Sequence, residues 1–435
     1  VQIKQLNDRS KMYYTPNKEN NVFQLVVQYG AGEREFPKLG YAAQLMNNAG
    51  IMGAYEPQEL KEELSKLNAT CHVTADDDNL YIIMEGYEAT LPQACQLLSR
   101  QILMPKLDEK QLARLKGSAM GMRQQRKDNV SILNEALRQY MLYGEKSDYI
   151  KELTDKEIYE LQISELTGDI NRASNYEAKV FFTGTLPFDQ VYDILSKNLP
   201  LVANERPSNS PQAKDMMPVT ENTVYFLPNN DAEQAQIHLY IPMQKADKKD
   251  DVLRSAFNQY FGLDFTGIVL NEIREKRSMA YTAYAFVGTQ GIAGKASYLR
   301  GYIGTQNDKA NDALDVLMGL VNDMPKNPER IDNIKSYLRQ AMLTSHPSFR
   351  NKAMELVDLG YRGYTDDPAK ENLPKVDALT FDDIVKFYEE NIKDKPYCIS
   401  IMGNPKNIDL KRLEKFGKVV KLNERKLFNT KDALF

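Results

Sequence analysis

Two side chains in the run IREKRSMAY could act together on a polar substrate: Arg274 and Tyr281, seven positions apart (281 − 274 = 7). A guanidinium presents five N–H donors in a rigid fork, and a phenol presents one O–H. Such donors suit carbonyl oxygens, or negative charge developing on one, better than they suit proton abstraction. A plainer reading stands beside this. A cation in the last turn of a helix is favoured by the macrodipole by about 0.3–1 kcal/mol. A Tyr that opens a strand needs no function at all. Spacing alone does not separate the two readings.

The flanking residues supply the elements that would position this pair. Gly262 marks a turn, and Asp264 is a good N-cap for a helix beginning just after it. Ile268, Val269 and Ile273 make the apolar stripe of that helix, which closes in the basic run Arg274, Lys276 and Arg277. Alternation then takes over. Tyr281, Ala283, Ala285 and Val287 fall on one face of a half-buried strand, and Thr282, Tyr284 and Phe286 on the other. A short helix-to-strand turn would bring the fork and the phenol to one spot. Gly288, Gly291 and Gly294 read as turn residues of the hairpin beyond.

The rest of the chain shows the same grammar twice. NVFQLVVQY (21–29) reads as a strand, 39–51 as a helix ending near Gly50, and PQELKEELSKL as a helix opened by Pro57. After these come two strands joined around Asp76–Asn79, a helix after Pro92, helical segments from 108 to about 170, and the strand AKVFFTG. Residues 203–223, rich in Pro, Asn and Ser, read as a linker. The pattern then restarts with AQIHLYI and ends at PYCISIMG, after a long helical run over 328–363 and a helix in LTFDDIVKFYEEN. Matching landmarks recur at a long period: Leu239 lies 214 residues beyond Leu25 (239 − 25), and Gly403 lies 219 beyond Gly184 (403 − 184). A period this long means a duplicated domain. The expected fold class is α+β: two homologous domains, 1–202 and 224–435, each a largely antiparallel sheet with helices packed on one face.

Composition narrows the function classes. A 42% hydrophobic and 27% charged chain of 435 residues, with net charge −4 and interleaved signs, is globular and carries no basic face for nucleic acid. No apolar run approaches the length of a membrane span. Cys71, Cys95 and Cys398 are too few and scattered for a disulfide framework or a zinc cluster and read as small core residues. They leave periplasm, cell envelope and cytoplasm equally open. The chain starts at Val1 without an apolar leader, which reads as a processed chain or a piece of a longer one.

The stretch around Arg274 and Tyr281 resembles the half of the pitrilysin/insulinase family of zinc peptidases that does not hold the metal. That family carries a Gly-rich turn, a helix, and an Arg and Tyr seven apart in a run like REKRxxAY. The resemblance extends over nearly the whole chain and implies two similar α/β domains per half-enzyme. It implies that Tyr281 supports the transition state and Arg274 holds a neighbouring substrate carbonyl, while zinc sits in a separate catalytic half, fused upstream or a partner subunit. It also implies a peptide substrate added as a strand inside a closed chamber. This sequence departs from the family at the turn, where only Gly262 and Gly267 remain, with Leu263, Asp264 and Phe265 between them.

In the family's metal-bearing half, H-x-x-E-H lies on the helix after the first strand. Aligned on Gly40, those positions here hold Ala43, Met46 and Asn47, none of which serves zinc. The helical stretch from Gln111 to Arg126, where a last Glu would fall, contains no acid. The three His of the chain, His72, His238 and His346, are too far apart in sequence to build either zinc motif, and each reads as structural. No metal or other cofactor is expected in this chain. The expected function is the non-catalytic half of a zinc endopeptidase, inactive alone. Two alternatives stand beside it: an inactive scaffold or assembly subunit of the same family, and a stand-alone peptide-binding module.

Overall fold

The computed structural model describes residues 1–209, 211–262 and 266–431. Leu263, Asp264 and Phe265, with the expected N-cap, lie outside the described residues.

The strand Val22–Tyr29 buries Phe23, Leu25, Val27 and Tyr29 on one side, as its alternation predicts. It is central in a six-stranded sheet whose order is Gln2–Gln5, Lys11–Pro16, Ala178–Gly184, Val22–Tyr29, Leu80–Tyr87, Thr70–Ala75. The second sheet, also six-stranded, runs Ala280–Thr289, Ala296–Gln306, Gln234–Lys245, Cys398–Gly403, Thr223–Pro228, Lys418–Lys421. Reversing the second order places Leu239 over Leu25 and Gly403 over Gly184, so the sequence repeat is a repeat of topology. Pairing is antiparallel except where Lys11–Pro16 meets Ala178–Gly184 and where Thr223–Pro228 meets its two neighbours. The outermost strands break the correspondence. One comes from the N-terminal hairpin, and the other is added by the C-terminal segment. The α+β expectation of two sheet-bearing halves stands.

One layer of helices covers one face of each sheet and forms its main core. The opposite faces are also apolar, because runs such as LVV at Leu25–Val27 and VFF at Val180–Phe182 put hydrophobic residues on both sides. A helix from the other half covers each of them. Helix Val130–Tyr143 lays Leu133, Leu137, Met141 and Leu142 on Leu227, Tyr240, Cys398 and Met402 of the second sheet. Helix Lys352–Tyr361 lays Ala353 and Met354 on Val26 and Phe181 of the first. The two halves therefore exchange helices. Burying one Leu side chain contributes on the order of 1.5–3 kcal/mol, so the exchange is a large share of what joins them.

Several boundaries differ from the expected ones for local reasons. The helix expected over 39–51 is Leu39–Met46, because Gly50–Ile51 pairs with Pro105–Lys106 as a short ladder. The helical stretch over 108–143 divides at Arg126–Asp128. There the Asn129 side chain accepts from the N–H of Ser131 and Ile132 and restarts a helix. The run over 328–363 is interrupted between Thr344 and Lys352, around Pro347. Gly288 lies inside a strand, opposite Tyr298, while Gly291 and Gly294 occupy the turn at φ +75°. The strands Gln2–Gln5, Lys11–Pro16, Thr223–Pro228 and Lys418–Lys421 and the helices Phe188–Asn198 and Pro368–Ala378 were not expected from the sequence, although Phe188, Val191, Tyr192 and Leu195 do fall at helical spacing.

Candidate functional site

The turn between Arg274 and Tyr281 is tightly tied. Helix Ile268–Leu270 continues as a single wide turn over Asn271–Glu275 with a π-type pattern, of the kind often found at functional positions. Ser278 takes a left-handed conformation at φ +50°, and its N–H donates to Arg274 O at 2.8 Å. Met279 N–H reaches Ile273 O at 3.0 Å. From the neighbouring strand Thr305 Oγ1 donates to Met279 O, and from the turn after it Lys309 Nζ donates to Ser278 O at 3.2 Å. The far end of the strand is locked by Asn258, whose side chain accepts from Val287 N–H at 2.6 Å and donates to Val287 O at 3.0 Å. Gly262 lies against Ala285, where an added Cβ would stand 3.0 Å from both its backbone N and O. That close approach is the reason for glycine there.

Simple alternation put Tyr281 on the face of Ala283, Ala285 and Val287. Those three are buried, and Tyr281 is 57% exposed. The ladder shows why. Ala280 pairs with Thr305 and Thr282 with Gly304, so Tyr281 is the extra residue of a bulge. A bulge re-aims one side chain without disturbing those beyond it. The phenol that alternation would send into the core is turned outward.

Arg274 and Tyr281 consequently line one open cleft of about 390 Å³, together with Glu275, Ser278, Met279, Ala280, Gln306 and Lys309. The basic run is sorted by the fold. Lys276 and Arg277 both turn back onto Glu272, at 2.6 and 2.5 Å, and hold its carboxyl below the ordinary range. Arg274 remains at the cleft, 45% exposed, with only a 3.6 Å approach of its Nε to Glu275. Gln306 Nε2 reaches the Tyr281 oxygen at 3.5 Å and occupies an acceptor position, which leaves the phenol O–H free to donate outward. Sequence reasoning missed Gln306 and Lys309. They come from the end of the neighbouring strand and the turn after it, and no spacing rule links them to Arg274.

Where the family's zinc motif would fall, the residues do not fit a metal. Ala43 and Met46 are each 1% exposed and packed in the first core. Asn47 is committed elsewhere: its side chain accepts from Val73 N–H at 2.8 Å and donates to Val73 O at 2.9 Å. Among the described residues no group of three or more His, Cys, Asp or Glu is placed to hold a metal ion. His72 and His238 lie in different sheets, and His346 lies in a loop. His238 is 2% exposed, its Nε2 is 3.0 Å from Asn134 Oδ1, and burial drives its pKa down to about 3. Burial also pushes the Cys71 and Cys95 thiols up to about 12 and Cys398 to about 11.

A sequence profile of the peptidase M16 inactive domain matches residues 174–338, a span that includes Arg274, Tyr281 and the whole cleft. Over those residues the chain is similar to the peptidase M16 inactive domain. The resemblance to the non-metal half of the pitrilysin/insulinase family therefore stands. Solved structures extend the likeness in fold to most of the chain. A peptidase M16 inactive domain from Pseudomonas fluorescens is similar at TM-score 0.72 and 17% identity, with 94% of this chain and 99% of that one covered. A ferredoxin protease, FusC, solved in complex with Arabidopsis ferredoxin, is similar at TM-score 0.72 and 13% identity over 91% of this chain but 44% of its own. The periplasmic protease PqqL from Escherichia coli is similar at TM-score 0.68 and 12% identity, covering 93% of this chain and 46% of its own. This chain thus spans less than half of those two longer chains. No curated protein sequence matches it significantly. Among the described residues no helix is long and apolar enough to cross a membrane.

Proposed function

We propose that this chain is the non-catalytic half of a zinc-dependent endopeptidase and that its cleft binds backbone carbonyls of a peptide substrate beside the scissile bond. The observation that carries this is the outward bulge at Tyr281, which points a phenol into the same cleft as the Arg274 fork. In the reaction, Tyr281 O–H donates to the oxygen on which negative charge develops, and Arg274 donates to a neighbouring carbonyl. A donor whose bond strengthens as charge develops lowers the barrier by roughly 3 kcal/mol. Metal-activated water belongs to the other half, since Ala43, Met46 and Asn47 offer no ligands. That half is either fused upstream or a separate subunit, and the 44% and 46% spans within FusC and PqqL support such a two-half arrangement.

The test is to assemble the chain with its zinc-bearing half and compare wild type with Tyr281→Phe. Loss of about 10²–10³ in kcat is expected with folding and assembly unchanged. Turnover within about twofold of wild type would discard the role.

A further inference from the structure

We infer that the cleft selects peptides carrying a carboxylate and that Lys309 is the residue that selects them; this rests on reading the cleft as a peptide site. Among the described residues, the cleft holds one more cation than carboxylate. Two cations, Arg274 and Lys309, and one carboxylate, Glu275, line it. Glu272 takes up Lys276 and Arg277 and leaves nothing over for the cleft. Glu275 approaches Arg274 only at 3.6 Å and points from a side chain that is itself 55% exposed. Lys309 Nζ donates to the backbone oxygen of Ser278 at 3.2 Å and has no carboxylate partner among the described residues. An ammonium carries three donors, so two remain for a ligand. It is also only part-exposed, which weakens screening at that spot. A peptide that places a carbonyl on Arg274 and Tyr281 brings its next groups past Lys309. A carboxylate there gains a charge-assisted hydrogen bond that a neutral amide does not. The anion is either an acidic side chain or the chain terminus, and the two share the same chemistry.

The whole chain, labelled at its methionine methyl groups, gives a local readout because Met279 lines the cleft. Its resonance is assigned with Met279→Leu. The probes are four acetylated hexapeptides, with Glu or Gln at the third residue and a free or amidated C-terminus, titrated at low salt. The expected result is about three- to fivefold tighter binding wherever a carboxylate is present, the effective arm naming its source. Lys309→Gln removes the preference, Lys309→Arg restores it, and Arg277→Gln leaves it intact. High salt erases it in the wild type. Equal dissociation constants for charged and uncharged peptides, with Met279 still shifting, would overturn the selection by charge and leave the peptide site standing. A Met279 signal unmoved by all four peptides would overturn both.

Discussion

Asn258 and Val287 are bound to each other twice, side-chain amide to backbone N–H and C=O, and the pair has a twin in Asn47 and Val73. The offsets are 211 (258 − 47) and 214 (287 − 73), close to the repeat of the chain. In each half, a helix after a central strand uses one Asn to complete the edge strand of its own sheet. An edge strand otherwise offers open backbone groups to any partner. The clamp at Val287 closes one end of the strand whose other end carries Tyr281.

Removing the clamp leaves Val287 with an unpaired N–H and C=O in a part-buried place. Asn258→Ala is expected to destabilise the second half by about 1–3 kcal/mol, and Asn47→Ala the first by a similar amount. Urea unfolding combined with amide exchange of the Val287 N–H checks this. Full protection of that amide in Asn258→Ala would contradict the assignment.

The exchanged helices predict that the halves stay together without a continuous backbone. A single proteolytic cut in the stretch 211–220, which has no helix or ladder strand, should yield two fragments that co-elute on gel filtration. Leu137 is fully buried against the second sheet, and Leu137→Ala should cost about 2–5 kcal/mol and free the fragments more readily. Separation of the wild-type fragments at neutral pH would show that the helices do not hold them.

His238 predicts an acid-side weakness. Its folded pKa is lowered to about 3 from 6.5, first by burial and then by Arg300 and Arg138. Above pH 6.5 neither folded nor unfolded chain protonates it, and it adds no slope. As pH falls from 6.5 toward 3, the unfolded chain takes the proton and the folded one does not. Stability attributable to this group therefore falls by up to about 1.4 kcal/mol per pH unit across that window. His238→Gln should flatten the slope between pH 6 and 4 and leave the slope above pH 7 unchanged, as read by thermal melts. Equal slopes in both proteins would sink the assignment.

Much of the fold was legible in local pattern. Strong alternation marked Val22–Tyr29 and Gln234–Lys245, and capping chemistry marked Pro57–Lys66 and Phe381–Asn391, because those signals are set by residues a few positions apart. The outer strands Gln2–Gln5 and Lys418–Lys421 were not legible, since in neither do buried and exposed residues alternate. Nothing in the run LNEALRQYMLY announces that its apolar stripe covers the sheet of the other half.

By itself the sequence determined the duplication, the α+β class, the Arg274–Tyr281 spacing and the lack of zinc ligands at Ala43, Met46 and Asn47. Each is a matter of residue type at a counted interval. Tertiary structure alone decided which way Tyr281 faces, because one extra residue in a ladder reverses a side chain and only the partner strand reveals it. It also decided that Lys309 joins the cleft and that Lys276 and Arg277 leave it. Charges separated along the chain meet or part according to where the turn carries them.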